Sequence, residues 1–377
     1  MNKLRASLLA LSLLAASPAA AAGIEVAPPK LLLPSITLAP VLNVIAGWQR
    51  DDLNTPPVAD GTTVLRGGLG EFRGNPGPGR STFNTYLDVI SLAVYTDPKA
   101  PVQVRADLDF GHDNEGKSGS TSVRAQQAYV RWTTELGRGL ELSLGRMNDP
   151  LGIEGRHRYD NPTIFYSWVT RLTATEVTGF KALYPLTDRT SFQALMFNNL
   201  RDSIQDSSNS PGFEGVLNTT WDTSHGTNEL GAGLEAGREQ PNDNKHWTYV
   251  SNAYVRLYPA SKVRVDLDGL YTQQETAAVP GATKGRGFAA FILTDYAFAA
   301  KMGAYGRYVF TADRSENGAF TGATQSIHQA TAGWRYQFKD SLRLRLEYQL
   351  DLHKPRGGPD SYSHAAALEV NYRFLGL

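Results

Sequence analysis

The stretch that most resembles a chemical site runs from Gly111 to Ser118, which reads GHDNEGKS and matches the phosphate-binding pattern G-x-x-x-x-G-K-[ST]. Such a loop needs a following helix, because the helix N-terminus and its amides hold the phosphates. Residues 119–132 instead alternate like a β-strand, and Asp113 and Glu115 put negative charge where phosphates would lie. We therefore interpret residues 112–121 as a solvated loop.

No other local signature of catalysis or cofactor binding occurs in the chain. It contains no G-x-S-x-G, no H-E-x-x-H and no cysteine, and its seven histidines are scattered. The sequence thus predicts no catalytic residue, no metal and no cofactor. A Ser, a His and an acid can still meet from different strands, so a membrane-barrel enzyme of the lipase or protease type stays open as an alternative.

Strict alternation of apolar and polar residues is the strongest structural signal. In SLRLRLEYQLDLH, residues 341–353, leucines and Tyr348 take one parity while charged and polar residues take the other. A strand points successive side chains to opposite faces, so one face is apolar and the other charged. A soluble sandwich and a membrane barrel with a wet interior both fit this pattern.

The connections favour the barrel. We predict sixteen strands, and the segments between them alternate without exception between short turns and longer loops rich in Gly, Pro, Asn, Asp and Ser. Outer-membrane barrels have short periplasmic turns and long extracellular loops. The fold expected is an all-β, antiparallel transmembrane barrel over residues 38–377. A closed sheet of about sixteen strands leaves a water-filled channel.

The same parity assigns the charged residues to the channel interior, because a basic residue facing the middle of the bilayer costs about 2–4 kcal/mol. Acids and bases are balanced, at 37 each over the whole chain, so no anion or cation preference is predicted and no nucleic-acid partner is indicated. The predicted pore-lining residues are Arg105, Asp107, Asp109, Arg264, Asp266, Asp268, Arg307, Arg335, Arg343, Arg345, Glu347, Asp351, Glu369 and Arg373.

The third long connection, residues 148–171, reads NDPLGIEGRHRYDNPTIFYSWVTR and mixes acids, arginines and aromatics. Exposing Ile164, Phe165 and Trp168 would be costly, which favours an inward fold over a flap on the rim. A charged loop inside the channel would sort solutes by size and charge. The residues predicted at this constriction are Glu154, Arg156, His157, Arg158, Tyr159 and Asp160.

The N-terminus carries an export signal. Lys3 and Arg5 precede an apolar run and the small residues Ala20 and Ala22, so residues 1–22 read as a cleaved signal peptide. Residues 23–37 are expected to form a periplasmic segment before the barrel. The predicted location is the outer membrane of a Gram-negative bacterium.

Several spaced positions resemble a known family. Gly145, PLGIEG at 150–155, NPTIFYS at 161–167, Gly179 and FNNLRDSIQDSSNSPGFEG at 197–215 are similar to the OmpL-like outer-membrane porins of the beta-barrel porin-2 family. The resemblance implies a passive channel for small hydrophilic solutes or ions, with no catalytic residue and no cofactor. Outer-membrane lipid and the barrel assembly machinery are the partners implied. A homo-oligomer and a structural sheath around a partner protein stay open.

Overall fold

The computed structural model describes residues 36–51, 80–97, 99–112, 121–155, 160–172, 176–198, 210–238, 247–275, 285–313, 324–355 and 359–374. The predicted signal peptide, the P-loop-like residues 113–118 and most of the long connections lie outside this range. Among the described residues, no helix is long and apolar enough to cross a membrane.

Sixteen strands and one short helix make up the described structure. The strands are β1 Ile36–Asp51, β2 Arg80–Thr96, β3 Val102–His112, β4 Thr121–Thr133, β5 Glu141–Asn148, β6 Glu176–Pro185, β7 Thr190–Phe197, β8 Gly212–Thr223, β9 Gly226–Gly237, β10 Thr248–Ala260, β11 Val263–Gln274, β12 Gly285–Ala299, β13 Met302–Asp313, β14 Thr324–Lys339, β15 Leu342–Pro355 and β16 Ser361–Arg373. The helix α1, Trp168–Leu172, lies between β5 and β6.

All sixteen strands form one closed antiparallel barrel in sequence order. Each strand pairs with its neighbours along the chain, and β1 pairs with both β2 and β16 to close the sheet. The strand bounds place every second connection, from residues 97–101 to residues 340–341, as a short turn at one end, which we name the short-turn end. The intervening connections emerge at the opposite end, the long-connection end. The predicted barrel is confirmed.

Strand β15 shows the predicted separation of faces. Leu346 is 52% exposed on the outer surface, while its neighbour Arg345 is fully buried on the inner face. Trp334, Tyr336 and Phe338 form a continuous outward-facing row at the short-turn end of β14. Trp334 and Tyr336 are stacked with ring centroids 6.0 Å apart, and Tyr336 meets Phe338 edge to face at 4.5 Å. Aromatic rings in this position match the interfacial girdle of membrane barrels.

Two of the strand boundaries that differ from the sequence prediction have a local cause. The sequence pattern predicts that the fifth strand begins at residue 138, but β5 begins at Glu141. Gly137 and Gly139 have φ of 59° and 94°, a left-handed conformation that lengthens the turn before β5. The sixth strand was expected from residue 172, but it begins at Glu176 because the preceding chain forms α1.

Candidate functional site

The connection between β5 and β6 folds into the barrel. We name residues 149–175 the inserted segment; its described parts are 149–155 and 160–172. Leu151, Trp168 and Val169 are buried in an apolar cluster with inward-facing residues of the barrel wall. The wall side of this cluster consists of Val216, Val250, Leu270, Ala289, Phe291, Leu293, Val309 and Ile327. Part of the interior is therefore a dry core.

A second apolar contact holds the middle of the inserted segment. Ile164 and Phe165 are fully buried against Ile45 of β1 and Ala365 and Ala367 of β16. Because alanine side chains are small, the larger Ile164 and Phe165 side chains fit against the sheet at this point. Close packing of this kind fixes the position of the segment along β16 and β1.

The backbone of the inserted segment is hydrogen-bonded to Glu347 on β15. The carboxylate accepts bonds from the amides of Ile164 and Phe165, the latter at 3.1 Å, and from the hydroxyl of Tyr305 at 2.7 Å. Glu347 is 1% exposed. Buried amides need acceptors, so this inner-wall carboxylate satisfies a turn that has no partner strand.

Arg345, next to Glu347 along the inner face, provides the complementary donors. Its guanidinium donates to the carbonyl oxygens of Asn161 and Thr163, the latter at 3.0 Å, and forms an ion pair with Glu369 on β16. Glu369 also accepts a 3.0 Å hydrogen bond from the side-chain amide Nδ2 of Asn43. Neither charge reaches solvent, and each is compensated by the other and by the segment backbone.

A third polar contact joins the two ends of the segment to β13. The Glu154 carboxylate lies 2.6 Å from the Arg307 guanidinium and accepts a 3.0 Å bond from the amide of Ser167. The hydroxyls of Ser167 and Thr170 also donate to Glu154. The segment start is held by β11 as well, since the amide of Ile153 donates to Asp268 at 2.9 Å.

The tip of the inserted segment is closed by two bonds between Gly155 and Asn161, at 2.6 and 2.8 Å. Asp160 lies beside them and pairs with Arg373 of β16 at 2.9 Å, with both side chains partly exposed. Four of the residues predicted at the constriction, Arg156, His157, Arg158 and Tyr159, lie outside the described residues.

These geometric features agree with a comparison against family models. The model described as beta-barrel porin-2, OmpL-like, matches residues 77–374, which include fifteen of the sixteen strands and the whole inserted segment. This chain belongs to the beta-barrel porin-2 family. It is an outer-membrane porin, a channel for solutes.

Solved structures similar to this porin have the same barrel fold at low sequence identity. The outer membrane channel DcaP of Acinetobacter baumannii aligns with a TM-score of 0.65 at 13% identity, covering 90% of this chain and 97% of that chain. The anion-selective porin from Comamonas acidovorans aligns at 0.59 and 10%, covering 90% and 100%. Salmonella typhi OmpF in complex with daunomycin aligns at 0.58 and 14%, covering 90% and 98%. A comparison with curated protein sequences gives no significant match.

All fourteen residues predicted to line the pore occupy inward-facing positions of the porin wall, but they differ in exposure. Eight are almost completely buried: Asp107, Asp266, Asp268, Arg307, Arg345, Glu347, Asp351 and Glu369. The others retain partial exposure: Arg105, Asp109, Arg264, Arg335, Arg343 and Arg373. Inward parity therefore does not by itself place a charge in water, because several inner-wall charges are covered by the inserted segment or by their ion-pair partners.

The sequence prediction omitted two features of this interior. Arg131 on β4 and Glu141 on β5 are partly exposed inner-face residues that pair at 3.2 Å, and both stand at inward positions of strands that the alternation identifies. The apolar inner-wall residues that face Trp168 were also omitted. Their signal is the loss of alternation in residues 288–293, FAAFIL, where both parities are apolar.

Proposed function

We propose that solutes cross this porin passively along the inner faces of β2, β3 and β4, beside the inserted segment. A cavity of about 130 Å³ lies against these strands and is lined in part by Tyr95, Gln103, Arg105, Tyr129 and Arg131. The side chain of Arg105 is 40% exposed. The inserted segment supports this route because its described contacts are with β1 and with the wall from β8 to β16, and not with β2 to β4.

We further propose that the constriction prefers anions. Asp160 at the segment tip is within the electrostatic influence of Arg373, Arg343 and Arg105. Arg105 and Arg343 also pair with Asp107 and Glu369, but these two acids are at most 1% exposed, whereas the arginine side chains are 40% and 18% exposed. The charge that these pairs present to water is therefore positive, and fixed charges that line a narrow water-filled passage select for ions of opposite sign. Glu154, the other described constriction residue, is buried in its pair with Arg307 and adds no free charge.

One solved neighbour supports the choice of anions. The porin from Comamonas acidovorans is described as anion-selective and shares this barrel fold. At 10% identity the likeness extends to the fold, so the preference of the present porin rests on its own arginines.

The proposal is tested by recording the reversal potential of the purified porin in a planar bilayer under a KCl gradient. The wild type should show a potential of the sign that anion permeation gives. Arg105→Gln and Arg373→Gln should each move it toward zero. Arg189→Gln removes the same charge from a turn, where Arg189 pairs with Asp222, and should leave the potential unchanged. Cation preference in the wild type would refute the proposal.

The predicted roles of Arg156 and Arg158 are tested in the same recordings. Replacing both with Ala should shift the reversal potential toward cations, because two positive charges leave the segment tip. His157 and Tyr159 are proposed to line the constriction without adding a fixed charge at neutral pH. An unchanged potential would remove this part of the segment from the selectivity filter.

Export and membrane contacts complete the proposal. Residues 1–22 are proposed to be cleaved as a signal peptide, and the apolar outer surface is proposed to contact outer-membrane lipid after insertion by the barrel assembly machinery. One neighbour, OmpT of Vibrio cholerae, is described in a trimer form, which supports a homo-oligomer here. Porin activity is proposed to involve no catalysis. N-terminal sequencing of the protein from outer membranes should begin after Ala22; retention of residue 1 would refute cleavage.

A further inference from the structure

Three carboxylates from separate parts of the chain meet at the long-connection end of the barrel. Asp149 is the first residue of the inserted segment, Glu214 lies near the start of β8, and Glu235 lies near the end of β9. One oxygen of each carboxylate lies within 4.8 Å of an oxygen of the other two. Glu214 and Glu235 are direct cross-strand partners. Like charges in that position repel each other and destabilise a sheet.

Glu214 is the member of this cluster that points to a missing ligand. Its side chain is on the inner face and it is only 5% exposed. Both of its carboxylate oxygens are buried, and neither accepts a hydrogen bond from a described residue outside the cluster. A buried carboxylate without hydrogen bonds is costly, so such a group calls for a counter-charge.

Asp149 also has a buried carboxylate oxygen that lacks a hydrogen bond. Its Oδ1 accepts a 2.9 Å bond from the amide of Leu151, which orients the carboxylate, while Oδ2 is buried without a hydrogen-bond partner among the described residues. This carboxylate is thus held in place by the backbone and presents one oxygen to the two glutamates.

One base of the wall acts on this cluster from a distance. The charge of Lys181, on β6, acts on Glu214. Within the described part of the chain, however, no ion pair joins Lys181 to Glu214 or to Asp149, so the burial of these two carboxylates is not compensated by a contacting cation.

We propose that Asp149, Glu214 and Glu235 bind a divalent cation, Ca²⁺, that fastens the start of the inserted segment to β8 and β9. Hard cations take oxygen ligands, and Ca²⁺ accepts irregular shells at about 2.3–2.6 Å, so two opposite ligands lie about 4.6–5.2 Å apart. Mg²⁺ requires a tighter octahedron with ligands at about 2.0–2.1 Å. Three carboxylates held by separate parts of the chain suit the irregular shell that Ca²⁺ accepts better than the strict octahedron that Mg²⁺ requires.

The site is tested by isothermal titration of CaCl₂ into the purified porin in detergent after treatment with EDTA. The wild type should bind one Ca²⁺ per chain, with a dissociation constant of about 10⁻³ M or lower, and Mg²⁺ should bind more weakly. Glu214→Gln and Asp149→Asn should each weaken Ca²⁺ binding at least about tenfold, since each loses a charged ligand. Ca²⁺ should also raise the melting temperature of the wild type and of neither variant.

Glu229→Gln provides the matched control. Glu229 is another inward acid of β9, but it is already bonded to Asn218 and Tyr254, so this variant should bind Ca²⁺ like the wild type. If Glu214→Gln does not fold, Asp149→Asn decides the matter, because it alters no strand. Absence of saturable Ca²⁺ binding in the wild type, or wild-type affinity in Asp149→Asn, would overturn the site. Tighter binding of Mg²⁺ would overturn the assignment to Ca²⁺.

Discussion

The two sides of the barrel interior carry similar residues in different surroundings. On the covered wall, which we define as Arg307, Gln329, Arg345, Glu347, Gln349, Asp351 and Glu369, each residue is at most 3% exposed. On the open wall, defined as Tyr95, Arg105, Tyr129 and Arg131, each side chain retains partial exposure. Both walls consist of inward-facing strand positions. At Arg307, Arg345 and Glu347 the difference arises from the inserted segment, which is hydrogen-bonded to these side chains, whereas the residues of the open wall line the cavity.

Because the two walls differ in exposure, the same residue types have different roles on them. Arg345 and Glu347 bind backbone amides and carbonyls of the segment, so their charges serve as hydrogen-bonding groups inside a dry interface. Arg105 and Arg131 pair with neighbouring side chains and still contact solvent. Charges on the covered wall therefore hold the segment in place, and charges on the open wall are those that we propose act on solutes.

The comparison predicts its largest effect at Arg345. Arg345→Ala removes the partner of buried Glu369 and two donors to the segment, and breaking a buried pair from one side costs about 3–5 kcal/mol. Arg131→Ala on the open wall breaks a partly exposed pair and should cost about 0–1 kcal/mol. Urea unfolding in detergent micelles measures both. Equal losses would mean that the two walls do not differ in burial.

A substitution at Trp168 tests how the packing of the inserted segment on the inner wall affects the channel. Trp168→Ala opens a cavity between α1 and the inner wall and should destabilise the segment by about 3–5 kcal/mol. The channel should become larger and noisier, because a loosened segment fluctuates within the lumen. Trp132→Ala is the control, since Trp132 projects outward from β4 and is 51% exposed. Single-channel recording at fixed voltage separates the two. Openings of Trp168→Ala with the conductance and noise of the wild type would contradict the role of Trp168 in holding the inserted segment against the inner wall.

A smaller effect is expected from charge on the outer surface. Leu346→Arg places a guanidinium on the lipid-facing side of β15 and should destabilise the barrel by about 2–4 kcal/mol if this position lies near the bilayer midplane. Gln337→Arg adds the same group to an inward position of β14 and should cost less, about 0.2–1 kcal/mol, because its cross-strand partner is Arg343. Unfolding in lipid vesicles compares them. If both variants were equally stable, the inward and outward faces would not be distinguished by lipid and water.

The sequence predicts the barrel and the two faces well because both follow from local patterns. Alternation in residues 341–353 assigns Leu346 and Arg345 to opposite sides without any tertiary information. The burial of Trp168 follows from its hydrophobicity, which favoured the inward fold. What alternation cannot distinguish is Arg105 from Arg345: each is an arginine between apolar neighbours at an inward position.

Whether each of these arginines is buried or exposed depends on contacts between distant parts of the chain. Arg345 donates to the carbonyl of Asn161, which is 184 positions away. Likewise, Asp149, Glu214 and Glu235 form no recognisable spacing, because their proximity results from barrel closure and from the path of the inserted segment. The N-terminal limit of β5 was missed for a local reason, since the two glycines of its turn adopt left-handed conformations that strand propensity does not anticipate.

The most direct test of the account is cysteine accessibility during channel recording. The chain has no native cysteine, so single replacements report one position each. A charged, water-soluble methanethiosulfonate added to an open channel should react with Arg105→Cys and reduce its conductance. It should leave Gln349→Cys unmodified, because that inward position is buried on the covered wall. Equal modification of the two cysteines would contradict the central claim that the inserted segment covers one wall and leaves the other open to solutes.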